Sequence, residues 1–219
     1  DHRDLHSFPT RRSSDLIHLL FSFKENSKLQ SLTKPLIMLS LLTMVIVYST
    51  IMNSKNIILI MAVLCGLLGD VLLMFKRRLS LFAAGGVSFF VGHLLYITQM
   101  IKLFSFKVGW YIYLVIFILM LIWTYIVEPK LKKNMNKLAV CASLYAFILL
   151  LGFSVSIVLF VATKNKSAIL LIFGFLLFII SDTILVYSAF FKPLKKAHFY
   201  LMIPYVIAQA CLACGILLF

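Results

Sequence analysis

Apolar runs of about 20 residues, the length a helix needs to cross hydrocarbon, recur along this chain between short charged stretches. Read between the charges, they predict helical spans near residues 35–52, 56–75, 79–101, 108–127, 137–162, 167–191 and 197–219, with a remnant at 16–23. With the first run restored to full length, the pattern is an all-α, polytopic membrane bundle of eight spans. Two runs are interrupted by an acid: Asp70 within 62–74 and Asp182 within 169–185. They are the only carboxylates inside apolar sequence, where an ionisable group is expensive and by default functional.

Asp70 and Asp182 are 112 residues apart, and so are two later polar landmarks, His93 and Tyr205. Four spans separate the members of each pair. Four is even, so the halves share one orientation: two parallel four-helix repeats, of the kind that build a site between them. Basic residues set that orientation. Lys24, Lys28, Lys34, Lys76, Arg77, Arg78, Lys130, Lys132, Lys133, Lys137, Lys192, Lys195 and Lys196 fall on one side, against five on the other. The richer side is expected in the cytoplasm.

Composition agrees, since 63% hydrophobic and 13% charged residues exclude a soluble globular domain. Residues 1–16 stand apart. They are polar, they end abruptly, and His6 to Leu16 resembles the translation of a sequencing-library adapter. The expected division is therefore an adapter-derived artefact at 1–16 and one integral membrane domain at 17–219, with the native chain entering near Ile17 as a fragment that lacks most of its first span. Three Arg and three Asp cancel in the first sixteen residues, so the net charge of +14 belongs to the remainder. The basic loops are short and lack interleaved aromatics, which favours anionic lipid headgroups over nucleic acid. Cys211 and Cys214 form a CxxC with no second pair or nearby histidine for zinc, so all four cysteines read as small packing residues.

Depth along the helices sorts the polar residues. At 1.5 Å per residue, Asp70 lies roughly 9 Å and Asp182 roughly 15 Å from the basic ends at Lys76 and Lys192, while His93 and Gln209 come nearer the midplane. Together they are expected to line one cavity opening toward the cytoplasmic leaflet. Gly66, one turn before Asp70, leaves room for a neighbouring backbone or a lipid chain. His93 shares a face with Tyr96, and Tyr205 with Gln209. Pro204 removes a backbone donor beside them. Low dielectric and a second nearby carboxyl oppose double ionisation, so one of the two acids is expected to keep a proton that it can donate.

Other readings stay open at this level. The acids and His93 could serve as hydrogen bonds between helices, His93 pairing with Tyr96, and Tyr145 could be packing. The acids could instead titrate in a proton-coupled or lipid carrier. Lys34-Pro35 reads as a basic anchor ahead of a proline in the first helical turn, or as a grip on phosphate. His198, at the inner boundary, reads as solvated. Ser40, Ser88, Ser143 and Ser181 sit in no nucleophile elbow.

Taken in order, Thr33-Lys34-Pro35-Leu36, Gly66-Leu-Leu-Gly69-Asp70-Val-Leu-Leu73, Gly92-His93-Leu-Leu-Tyr96, Tyr145, Ser181-Asp182 and Tyr205-Val-Ile-Ala-Gln209 resemble the YhhN-like family of membrane lysoplasmalogenases. The resemblance covers essentially everything after Ile17. It implies hydrolysis of the alkenyl ether bond of a lysoplasmalogen, releasing a fatty aldehyde and a glycerophospho-alcohol. It implies Asp70, Asp182 and His93 as catalytic residues, and Lys34, Tyr96, Tyr145, Tyr205 and Gln209 as substrate-binding ones, with no metal and no organic cofactor. One neutral Asp would protonate the alkene carbon while the other, ionised, stabilises the cation and orients water. Asp182, as the deeper, is assigned the acid and Asp70 the base. The implied partners are a membrane lysophospholipid and the bilayer, in a bacterial cell membrane with basic loops cytoplasmic.

Overall fold

The computed structural model describes residues 27–52, 56–74, 79–103, 118, 122, 133, 138–192 and 197–219. They form six helices: α1 (Ser27–Ile51), α2 (Ile57–Met74), α3 (Leu79–Lys102), α4 (Leu138–Thr163), α5 (Ser167–Val186) and α6 (Ala197–Leu217), with α5 running into a π-helical turn at Tyr187–Phe191. There is no strand among the described residues. Helices α2 to α6 are each long and apolar enough to cross a membrane, and the apolar part of α1, Pro35–Ile51, is shorter.

Charged punctuation marks most helix ends to within a residue or so, because the charges stand where hydrocarbon gives way to water. The first helix departs from this. It begins at Ser27, so Pro35 lies inside the helix and not in its first turn. Hydropathy records where a helix enters hydrocarbon, whereas backbone hydrogen bonding extends through the polar approach. The expected leader at 1–16, the remnant at 16–23 and the span at 108–127, apart from the exposed Ile118 and Ile122, lie outside the described residues.

The six helices close a ring: each packs on the next in chain order, and α6 returns to α1. Side-chain contacts fix their directions. Phe89 and His93 of α3 meet Phe178 and Phe175 of α5 in reverse order, and Tyr145 and Gly152 of α4 meet Asp182 and Phe175 of α5, also in reverse. Helices α3 and α4 are therefore parallel neighbours, and Lys102 and Leu138 stand at opposite ends of the bundle. One end gathers the starts of α1, α3, α4 and α6 with the ends of α2 and α5. The basic stretches at 76–78, 137 and 192–196 adjoin that end in sequence.

Lipid tails are as apolar as leucine, so helices in a membrane associate by close packing and hydrogen bonds. Small residues supply the first. Gly92 lies against the backbone of Ala62, and Gly174 lies against the Ala208 carbonyl and the Leu212 side chain, so α2–α3 and α5–α6 approach closely. Serines supply the second: Ser88 donates to the Cys65 carbonyl at 2.7 Å, and Ser181 to the Leu201 carbonyl at 3.1 Å. Large apolar side chains such as Leu36, Val47, Ile101, Phe173 and Ile203 cover the outer face, while Tyr96, Phe175, Phe178 and Leu212 fill the centre.

A Cβ on Gly174 would come within 2.7 Å of Leu212 and 3.2 Å of the Ala208 carbonyl. Gly174→Val is expected to separate α5 from α6 and cost about 1–3 kcal/mol by overpacking, read as a lowered unfolding temperature in detergent.

Candidate functional site

The site forms where α2, α3, α4, α5 and α6 converge, and its first requirement is local. Asp70 and Asp182 each sit four residues before the end of their α-helix, at Met74 and Val186, so both reach the interior near the basic end of the bundle. Position along the helix and burial rank the two acids differently. The π-helical turn at Tyr187–Phe191 carries α5 on toward Lys192, so Asp182 stands ten residues from its basic stretch against six from Asp70 to Lys76. Burial reverses the order: Asp70 is 1% exposed, while Asp182 is only part-buried.

Each carboxyl takes a phenol from another helix. Tyr205 of α6 donates to Asp70 Oδ2 at 2.6 Å, and Tyr145 of α4 donates to Asp182 Oδ2 at 2.5 Å. The Tyr145 hydroxyl is also within electrostatic range of Asp70, so both acids act on one locality. Tyr145 is thus more than the packing residue that its apolar surroundings suggested.

Behind Asp70 the polar groups continue. The Tyr96 hydroxyl donates to Gln209 Oε1 at 3.0 Å, and the Gln209 amide hydrogen-bonds the Tyr205 hydroxyl. The sequence Tyr96, Gln209, Tyr205, Asp70 therefore joins α3, α6 and α2, every hydroxyl donating toward the next acceptor. The glycines of the Gly66-Leu-Leu-Gly69-Asp70 motif make this possible. A Cβ at Gly66 would stand 3.0 Å from the Gln209 amide nitrogen, and one at Gly69 would strike the Phe89 ring.

His93 does not pair with Tyr96. Its Nδ1 lies 2.7 Å from the Phe89 carbonyl one turn earlier, and since a carbonyl only accepts, Nδ1 carries the proton. Nε2 then offers a lone pair; it is buried and has no hydrogen-bond partner among the described residues. Phe178 stands edge-on to the imidazole at 4.4 Å, with Tyr145 at 5.8 Å and Phe175 at 5.9 Å. The aromatic residues Phe89 and Phe178 are structural members of the site that residue-type reasoning passed over. Their signal was present in the spacing: Phe178 stands one turn before Asp182, and Phe89 one turn before His93.

A cavity of about 340 Å³ opens between α3 and α4, with Asp182 and Tyr145 on its wall and otherwise apolar surroundings. The single cavity expected to hold all the polar residues is thus divided. Asp182 and Tyr145 face open space, whereas Asp70, His93, Tyr205 and Gln209 are buried in the core behind them. Of the expected site residues, only Lys34 is left without a placed side chain: its backbone lies in α1, and its side chain is outside the described residues.

Comparison with known proteins gives one result. The model of the YhhN family matches residues 29–216. Neither the curated proteins nor the solved structures provided a match.

Removing the donor from the fully buried acid should cost more than removing it from the part-buried acid on the cavity wall. Tyr205→Phe is expected to lose about 1–3 kcal/mol, and Tyr145→Phe clearly less, in unfolding measured in detergent. Tyr205→Phe and Gln209→Leu should be non-additive by about 0.5–3 kcal/mol when combined, since both cut the same chain of hydrogen bonds.

Proposed function

The chain belongs to the YhhN family, and from that premise we propose that it is a lysoplasmalogenase-type hydrolase, cleaving the vinyl ether bond of a lysoplasmalogen within the membrane. One observation carries the reading: a carboxyl and a phenol, Asp182 and Tyr145, stand together on the wall of an apolar cavity between spans, with a second acid in the same electrostatic locality. A vinyl ether is an apolar, electron-rich alkene that asks for an acid and tolerates a dry pocket.

The reaction begins with proton transfer from a neutral carboxyl to the alkene carbon remote from oxygen, leaving an oxocarbenium ion. Asp182 is the donor because it borders the cavity, which replaces depth as the ground for that assignment. Asp70, held by Tyr205, is the fixed anion that favours the cation. Water adds to the oxocarbenium carbon and loses a proton to carboxylate. The hemiacetal then collapses to aldehyde and glycerophospho-alcohol, so one water is consumed and the proton is returned. To His93 Nε2, a buried acceptor whose ring lies 5.8 Å from that of Tyr145, the proposal assigns the holding of that water or the taking of its proton. Tyr96 and Gln209 act through Tyr205 by fixing Asp70, and Lys34 attracts the phosphate.

The same reading includes eight spans in two parallel halves. An offset of 112 residues carries Met74, the end of α2, onto Val186, the end of α5, and pairs α1 with α4 and α3 with α6. The tight pairings α2–α3 and α5–α6 correspond under it, as do the parallel directions. The basic loops are cytoplasmic and the membrane is that of a bacterial cell, which puts both acids toward the inner leaflet.

The test uses the full-length protein in vesicles, offered alkenyl, alkyl and acyl lysolipids, with aldehyde release as the readout. Aldehyde is expected from the alkenyl lipid alone. Asp182→Asn and Asp70→Asn, folded by their unfolding temperatures, should each lower the rate by about 10²-fold or more, the usual scale for a general acid or a fixed stabilising charge. Movement of lipid across the vesicle with no aldehyde would assign the acids to a carrier instead.

A further inference from the structure

The cleft between α3 and α4 has more to it than the acid on its wall. Its lining runs over 82–90 on α3, 141–145 on α4 and 182–186 on α5. Helices α3 and α4 start at the basic end and α5 finishes there, so Phe90, Tyr145 and Asp182 form the end of the cleft farthest from the basic loops. Everything on the other side of them is apolar, including Leu73, Phe82 and Leu185.

The mouth is on the lipid face. Val87 and Leu144 line the cleft and are 58% and 55% exposed. They stand roughly 12 Å and 9 Å along their helices from Leu79 and Leu138, a depth at which the surroundings are hydrocarbon. A ligand entering there comes from the bilayer, not from water. Size narrows it further: a cavity of about 340 Å³ stands at the small end of ligand pockets, which suits a single chain segment.

One residue in the wall is unexplained by packing. Gly85 abuts Leu73 and the Gly69 carbonyl, and Gly92 abuts Ala62 and Cys65, but a Cβ on Gly86 would meet nothing within 4 Å. Glycine within a helix costs stability relative to alanine. Here the protein's own packing makes no use of the space it leaves, and that space belongs to the cleft.

The geometry points to this cleft as the seat of one lipid hydrocarbon chain, entered sideways from the membrane between Val87 and Leu144, with Gly86 setting how much chain it accepts. The inference deepens the hydrolase reading and rests on it only for the identity of the bond held at Asp182, from which the chain turns back along the cleft toward the basic end. Moving a chain from bilayer to apolar slot gains almost nothing from the hydrophobic effect, so selection comes from fit and dispersion contacts. A single intruding side chain is therefore enough to change it.

Cys141 is an exposed free thiol on the cleft wall and reports on occupancy. The full-length protein, with Cys65, Cys211 and Cys214 replaced by alanine, is placed in vesicles of diacyl lipid and treated with N-ethylmaleimide. A long-chain alkyl-ether lysolipid, which has no vinyl ether to cleave, is added as the probe. It should slow modification of Cys141 several-fold, and glycerophosphocholine, which carries the headgroup without a chain, should not. Asp182→Asn and Gly86→Ala should retain the protection. Gly86→Leu should abolish it for the long chain and restore it for a short one, at an unchanged unfolding temperature. Modification of Cys141 at the same rate with and without the long-chain probe, or full protection in Gly86→Leu, would overturn the inference. Protection without aldehyde release from alkenyl lipids leaves the chain seat standing and removes the hydrolase reading; aldehyde release without protection does the reverse.

Discussion

A carboxyl group placed among hydrocarbon has to be met by a donor in the same place, since water is not at hand to do it. In this bundle a tyrosine from another helix meets each one, Tyr205 for Asp70 and Tyr145 for Asp182. Those two bonds dictate much of the rest. They require α6 to bring its Tyr205 face against α2, and α4 to bring Tyr145 against α5. Both need backbones that approach closely, and the glycines at 66, 69, 92 and 174 stand where larger residues would hold the helices apart. In a medium where apolar burial scarcely favours one helix pairing over another, such polar contacts and small-residue seams select the arrangement.

The two pairs are alike in chemistry and different in setting. The Asp70 pair is sealed, backed by Gln209 and Tyr96 and walled by Phe89 and Phe178. The Asp182 pair borders a cavity that reaches the lipid face. One acid is thereby held fixed in the core while its counterpart faces open space. The sequence around the two acids differs as well. Gly66 stands one turn before Asp70, whereas Phe178 stands one turn before Asp182.

Not everything about the site was legible in the chain. Tyr145 stands alone in an apolar run, where a phenol and a packing ring look the same. His93 and Tyr96 share a face, yet each turns to a different partner, His93 to its own helix at Phe89 and Tyr96 across to Gln209. Spacing along one helix says which residues are neighbours on its surface. It does not say which neighbour a rotatable side chain will choose when a better-placed acceptor comes from another helix.

What the sequence determined by itself is what depends on position along one chain: the spans, whose ends are set by the meeting of charge with water, the two acids whose cost inside hydrocarbon marks them, and the order of motifs that places the chain in its family. Which phenol answers which acid, which acid is sealed and which faces the cleft were decided only in the tertiary structure. The reason is physical. Helix rotation and approach distance fix those contacts to within an ångström, and they are set jointly by small residues on several helices at once, a quantity that no single stretch of sequence contains.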